Sequence, residues 1–309
     1  MSIRIGIDLG GTKIEIIAVD DHGDILIRER QETPVTNYKK IVQVTADLVN
    51  KVEGVLGEKG VVGVAVPGAL SLATGKIKNS NTTCMIGQTF DKHLGEILNR
   101  VVRVNNDANC FTLSEVIDGA AEGADIVFGV ILGTGVGGGI AIDGKIINGL
   151  NSIAGEWGHN PLPWPKENEL PGPDCYCGKQ GCIETFLSGS GLMNDHKTIT
   201  DEKLEPLEIV RQSRDDNKST ISTMVRYYDR LARALASVIN IIDPEVIVLG
   251  GGLSNIEELY EEIPERWTQY VFSDRVDTRL VAAKYGDSSG VRGASWLWDD
   301  CMGTDKLTL

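Results

Sequence analysis

Positive charge is what this sequence has least of. Lys and Arg number 30 against 44 Asp and Glu, which gives a formal net charge of −14 and a pI near 4.8. A nucleic-acid surface needs the opposite sign, so nucleic acid is excluded as a partner. A nucleotide is not excluded, because backbone N–H groups bind phosphate without net positive charge. Long apolar runs are also missing. The one uncharged stretch near membrane-spanning length, residues 126–142, carries glycines at 129, 133, 135, 137, 138 and 139. It reads as two strands around a glycine turn rather than a helix in lipid. The N-terminus opens on an apolar strand with no basic leader, so the expectation is a cytoplasmic protein with no signal peptide and no membrane partner. No Walker sequence G-x-x-x-x-G-K-[ST] occurs, which disfavours a P-loop fold. Cysteine is scarce at six residues, and Cys84, Cys110 and Cys301 are expected to be free thiols.

The other three cysteines lie in one segment with a histidine: His159, Cys175, Cys177 and Cys182, within 24 residues. That is the ligand set of a closed, tetrahedral Cys3His zinc site. A single buried Cys is usually packing, but three at spacings of two and five with Gly between them are seldom only that. A disulfide pair is the rival reading, set against a chain that otherwise looks cytosolic. Four protein ligands leave no open position for water, so the zinc is structural rather than catalytic. Glu156 and Glu184 flank the ligands. A zinc-folded loop would aim both carboxylates at a polar substrate.

At 309 residues the chain can hold two domains, each with its own core. Residues 3–8, 13–19 and 24–31 read as strands, the first pair joined by Gly10-Gly11-Thr12. Apolar positions Ile41, Leu48, Val52 and Val55 recur at helical spacing, so 38–56 is a helix. Residues 61–66 are a strand ended by Pro67-Gly68, 91–99 a helix and 101–105 a strand, with a helix from Asp107. The pattern then repeats: strand 126–132, glycine turn 133–139, a return strand at 140–142 and a hairpin at Asp143-Gly144 into 145–148. Two such halves suggest duplicated α/β domains with a glycine turn each at their cleft. A long helix over 217–241 is stopped at Asp243-Pro244. The strand 245–249 runs into Gly250-Gly251-Gly252, and Ser254 with Glu257 forms a capping box for the next helix. Residues 287–298 read as a last helix and 303–309 as a frayed tail.

Glycine turns let backbone N–H groups approach phosphate oxygens closely. One is a weak signal; three (Gly10-Gly11, 133–139 and 250–252) are stronger, and Thr12 and Thr134 add a hydroxyl to two of them. A Rossmann spacing can be forced onto Gly133, Gly135 and Gly138, but a strand and hairpin follow where a helix should. Asp8 ends its strand where it could hold Mg²⁺, and Lys13 could offset phosphate charge. Asn106-Asp107 stands between a strand and a helix. Asn and Asp favour that place simply as helix caps; the functional reading makes Asp107 a general base for a hydroxyl attacking a phosphoryl group.

Taken in order, Asp8-Leu-Gly-Gly-Thr-Lys13, Asn106-Asp107, Leu132-Gly-Thr-Gly-Val-Gly-Gly-Gly139, Glu156-Trp-Gly-His159 and Cys175-x-Cys177-Gly-x-x-Gly-Cys182-x-Glu184 resemble the ROK family of sugar kinases and repressors. Gly250-Gly-Gly252 and Gly286–Gly293 resemble its later blocks, so the likeness runs from residue 3 to about 298. The resemblance implies an actin-like, hexokinase-type α/β fold of two RNase-H-like domains. Their expected extents are 1–118 plus about 288–302, and 119–287 with the zinc loop 159–182. It also implies ATP and Mg²⁺, a structural Zn²⁺, a hexose substrate and a homodimer. Asp107 matches the family's base, and Gly68, Asn81, Asn106, Glu156, His159 and Glu184 match its sugar-contacting positions. Gly10, Gly11, Thr12, Lys13, Gly133, Thr134, Gly135, Gly250, Gly251 and Gly252 go with the nucleotide.

Within the family, Glu156-Trp-Gly-His-Asn-Pro-Leu-Pro-Trp164 looks most like bacterial fructokinases, which implies fructose 6-phosphate as product. The alternative is a kinase of N-acetylglucosamine or N-acetylmannosamine, whose members tend to have Phe at position 157. Cys84 stands where these relatives carry an aromatic. A sugar-responsive repressor is the remote third reading: the family's repressors carry an N-terminal helix-turn-helix, and here the first strand begins at residue 3.

Overall fold

The computed structural model describes residues 3–298; Cys301 and the tail 303–309 lie outside the described residues. In chain order the elements begin β1 (Arg4–Leu9), β2 (Lys13–Val19), β3 (Ile25–Glu32), α1 (Tyr38–Leu56), β4 (Val61–Val66), β5 (Ala69–Leu70), β6 (Ile77–Lys78), α2 (Phe90–Leu98), β7 (Val102–Asn106) and α3 (Asp107–Ile117). They continue with β8 (Ile126–Leu132), β9 (Val136–Ile142), β10 (Lys145–Ile146), α4 (Ile183–Leu187), α5 (Gly189–Thr200), α6 (Pro206–Arg214), α7 (Lys218–Ile242), β11 (Val246–Gly250), α8 (Leu259–Trp267), β12 (Arg279–Ala282) and α9 (Ser289–Ser295).

Two five-stranded mixed sheets carry the fold, in the orders β3-β2-β1-β4-β7 and β10-β9-β8-β11-β12. In the first, β1 pairs antiparallel with β2 and parallel with β4, and β4 pairs parallel with β7. In the second, β11 lies parallel to both β8 and β12. The chain divides into two compact units, residues 3–123, 139–154 and 288–298, and residues 124–138 and 155–287, with the division inside β9.

In the first unit Ile41, Leu48, Val49 and Val52 of α1 share one buried core with Ile5, Ile7, Ile14 and Val64. Helix α9 returns from the far end of the chain to pack on β1, β4 and α3. The approach is so close that a Cβ on Gly63 would lie 1.9 Å from the Ala294 carbonyl. Trp298 Nε1 then donates to the Val62 carbonyl at 2.7 Å. In the second unit α7 buries Leu231, Leu235 and Ile239, and β8 and β11 bury Val127, Val130, Ile247 and Val248. Among the described residues no helix is long and apolar enough to cross a membrane.

Three local expectations differ. The glycine run 133–139 is not all turn, because β9 already begins at Val136. Gly138 and Gly139 are strand residues without side chains because neighbours sit where a Cβ would go: the Gly155 carbonyl and the Thr112 hydroxyl, at 2.7 and 2.4 Å. Ser254 caps no α-helix; it lies in the 3-10 turn Gly252–Asn255, where its hydroxyl donates to the Gly251 carbonyl, and α8 starts at Leu259. The last helix is only Ser289–Ser295, flanked by 3-10 turns.

Candidate active site

In the first unit the candidate residues gather at the carboxyl ends of β1, β4 and β7. Asp8 is the penultimate residue of β1, and the hairpin that follows is closed by Gly10 N donating to the Lys13 carbonyl at 3.0 Å. Gly11, Thr12 and Lys13 are exposed there. Thr33 steadies the hairpin from outside, its hydroxyl donating to the Gly10 carbonyl at 2.8 Å.

At the end of β7, Asn106 is the N-cap of α3. Its side-chain oxygen accepts from the amides of Ala108 and Asn109, at 2.9 and 3.3 Å, which satisfies two of the helix's orphan donors. Its Nδ2 donates to the Gly68 carbonyl at 3.0 Å. Gly68 must be glycine: its φ is +85°, and a Cβ would stand 2.3 Å from the Lys78 carbonyl. The capping and functional readings of Asn106 are therefore compatible, since capping uses its oxygen and the tie to Gly68 its nitrogen.

Asp107 is the first residue of α3, with a carboxylate oxygen accepting from the Ala108 amide at 2.8 Å. Burial, then the charge of Asp107, push the Asp8 carboxyl up from its ordinary range to about 7. Two carboxylates sharing one partly desolvated corner repel, and a divalent cation there would relieve both. The residues present thus fit a Mg²⁺ ion.

Behind this corner lies an asparagine cluster that the sequence singled out only in part. Asn105 Oδ1 accepts from the Asn106 amide and from Asn109 Nδ2, at 2.8 and 3.0 Å, and Asn109 Nδ2 also donates to Asn148 at 3.1 Å. Asn148 follows β10 and carried no sequence signal. Asn81, placed by resemblance, is exposed in the bend before the 3-10 turn Thr83–Met85. In that turn, half-buried Cys84 donates to the Val35 carbonyl at 3.1 Å.

In the second unit the two glycine turns meet. β8 and β11 run parallel, so their ends lie side by side. A Cβ on Gly251 would sit 2.5 Å from the Leu132 carbonyl, and Gly251 has φ +81°. Gly133, Thr134 and Gly135 follow Leu132 directly, with the Gly133 amide bonded to the Gly135 carbonyl at 3.0 Å. Two glycine turns at the carboxyl ends of adjacent parallel strands can offer backbone N–H groups to a phosphate.

Beside them stands the cysteine segment. Cys175 Sγ lies 3.5 Å from His159 Nδ1 and Cys177 Sγ 3.6 Å from Cys182 Sγ. All four ligand atoms fall within 4.8 Å of one another. A tetrahedron with Zn–S of about 2.3 Å and Zn–N of about 2.0 Å has edges of roughly 3.5–3.8 Å. The cluster fits zinc, and all three cysteines are free rather than bridged. The loop is tied by Cys175 N to the Lys179 carbonyl at 2.8 Å and Leu162 N to the Gly181 carbonyl at 2.9 Å.

Ligand and carboxylate are joined by one short helix. Cys182 is the N-cap of α4 and Glu184 lies in its first turn. Glu184 Oε2 accepts from the Val136 amide at 2.9 Å, just past the glycine turn. Any side chain on Gly135 would collide with that carboxylate, a Cβ lying 2.6 Å from Oε2. Glu156 precedes the 3-10 turn Trp157–His159. Trp157 is buried, donating to the Gly137 carbonyl at 3.0 Å and meeting Phe128 edge-on. Trp164 stacks on Tyr270. Both Trp residues of the run 156–164 are thus engaged in packing.

A profile of the ROK family matches residues 4–301. The chain belongs to the ROK family. It is 38% identical over 296 residues to the N-acetyl-D-glucosamine kinase of Photobacterium profundum, covering 94% of this chain and 98% of that one. The Vibrio cholerae N-acetyl-D-glucosamine kinase matches to the same extent, 38% over 296 residues, again 94% and 98% of the two chains. Among solved structures, the ROK hexokinase from Thermus thermophilus superposes with a TM-score of 0.83 at 29% identity, covering 95% and 96% of the two chains. A Streptomyces griseus ROK glucokinase, solved with glucose and AMPPNP, gives 0.79 at 27% identity, covering 96% and 99%. This ROK protein is an ATP-dependent sugar kinase with the hexokinase-type fold.

Residues that the sequence did not flag hold the cysteine-bearing loop in place. Arg226, Arg230 and Arg233 recur at spacings of four and three on α7; Arg226 pairs with Asp195 of α5, and the other two reach the loop. Arg233, fully buried, donates to the carbonyls of Pro163 and Trp164 at 3.0 and 2.7 Å and to Glu169 at 2.7 Å; Arg230 also reaches Glu169, at 2.8 Å. Burial would raise Glu169, but hydrogen bonds from Arg233, Arg230 and the Lys166 amide prevail and hold it at about 2. The helical spacing of the three arginines was the available signal.

Proposed function

We propose that this kinase transfers the γ-phosphoryl group of ATP to N-acetyl-D-glucosamine, at the 6-hydroxyl that the family resemblance implies. What carries the reading is the 38% identity, over nearly the whole chain, to bacterial N-acetyl-D-glucosamine kinases. The fructose expectation rested on the run Trp157–Trp164. Both tryptophans serve packing, which weakens that run as a marker of the sugar.

In this reading Asp107 accepts the proton of the attacking hydroxyl. The freed oxygen forms its bond to the γ-phosphorus as the bond to the bridging oxygen breaks, and ADP leaves. Asn106, Glu156, Glu184 and His159 hydrogen-bond the sugar hydroxyls, with Gly68 and Asn81 alongside. Sites built on such bonds reject analogues that lack them. The turns at Gly10–Lys13, Gly133–Gly135 and Gly250–Gly252 offer backbone N–H groups to the phosphates. Asp8 would hold Mg²⁺, which when bound neutralises phosphate charge. His159, Cys175, Cys177 and Cys182 would hold zinc, which fixes the loop and contributes no reaction step.

The test is ADP release by zinc-replete protein with Mg-ATP against N-acetylglucosamine, N-acetylmannosamine, fructose, mannose and glucose. The expected result is the highest kcat/KM with N-acetylglucosamine. A clear preference for fructose would return the subgroup to the fructokinases, and silence with all five would overturn the reading of the site.

A further inference from the structure

His159 has two ring nitrogens with different neighbours. Nδ1 faces the cysteine cluster, 3.5 Å from Cys175 Sγ. Nε2 is therefore the only nitrogen the ring can offer a sugar, and it already has a partner: the Tyr176 hydroxyl, at 2.9 Å. The two rings meet edge-on, with centroids 5.1 Å apart at 88°. We infer that Tyr176 sets the affinity for the sugar: its hydroxyl holds the hydrogen-bond position on His159 that an incoming sugar oxygen must take. This rests on the assignment of His159 to the sugar made under the proposed function.

Two observations favour a displaceable partner over an ordinary surface tyrosine. An imidazole that gives Nδ1 to a metal carries its proton on Nε2, so with zinc bound His159 would be the donor and the phenol the acceptor. A sugar hydroxyl or amide oxygen would be the same kind of acceptor and would compete for the same N–H. Tyr176 is also 81% exposed, so little packing opposes rotation of its ring, whereas its backbone is fixed between Cys175 and Cys177.

The experiment is calorimetric binding of N-acetylglucosamine, N-acetylmannosamine, fructose, mannose and glucose to zinc-loaded wild type and to Tyr176→Phe, with zinc content measured on both. The variant keeps the ring and removes only the competing oxygen. The expected result is unchanged zinc and about two- to tenfold tighter binding of the preferred sugar, the net worth of one hydrogen bond. Unchanged or weaker binding by Tyr176→Phe, with wild type binding normally, overturns this inference alone. Wild-type protein that binds none of the five overturns the sugar-site reading and this inference with it.

Discussion

At the first turn of α3, Asp107 stands on a floor of asparagines. Asn106 caps the helix and is tied to Gly68; Asn105 and Asn109 brace it from behind, and Asn148 reaches Asn109 from beyond β10. The network braces the strand end and helix start that carry Asp107, and positioning supplies much of the catalysis in phosphoryl transfer. Asp107→Ala should therefore reduce kcat by about 10²–10⁴-fold, the usual contribution of a general base, with sugar affinity in calorimetry roughly preserved. A kcat near wild type would remove Asp107 from the base role. The residue identities were legible in the sequence, since Asn-Asp between a strand and a helix is a recognisable signal. Asn148 was not, because a partner 39 residues from Asn109 leaves no local mark.

The element that carries the candidate residues of the second unit is the loop from Glu156 to Glu184. Its own hydrogen bonds and the ligand cluster shape it, but α7 holds it down. Glu169 is nearly buried between Arg230 and Arg233. Removing one partner of a buried pair leaves uncompensated charge and typically costs about 3–5 kcal/mol. Glu169→Gln should lower stability to urea by that order and speed zinc release to a chromogenic chelator. Wild-type stability with wild-type release kinetics would show that the cluster holds the loop without α7. Cysteine spacing revealed the candidate ligands, because a metal knuckle needs its ligands at short, glycine-rich separations. The helices α4, α5 and α6 were not read, as α4 is only five residues and α5 opens on Gly-Ser-Gly.

Over the whole molecule, two carboxylates pull stability in opposite directions with pH. Asp8 is raised to about 7, so its folded-state proton is favoured; its contribution is full below about pH 4 and is lost as pH rises toward 7. Glu169 is depressed to about 2, so its contribution is present above about pH 4.5 and is lost as pH falls toward 2. In metal-free buffer, Asp8→Asn should gain stability over wild type between about pH 5 and 7.5, and millimolar Mg²⁺ should narrow that gap by favouring the carboxylate. Urea midpoints for both proteins at the two pH values, with and without Mg²⁺, measure this. A gap that does not change with pH would remove Asp8 as the titrating group.

The sequence by itself determined the order of strands and glycine turns, the candidate metal ligands and the paired Asn106-Asp107. These depend on near neighbours: period-two and helical patterns, turn residues and short ligand spacings. Together they carried the family. Only the tertiary structure decided which of those residues act on one another. It placed Gly251 against Leu132, Gly135 under Glu184, Arg233 beneath the zinc loop and the Tyr176 hydroxyl on His159. It also turned the late glycines of the run 133–139 into strand residues, because what excluded a side chain there was a distant backbone or hydroxyl rather than a turn. Burial and close approach are set by residues far apart in the chain, and no local pattern encodes them.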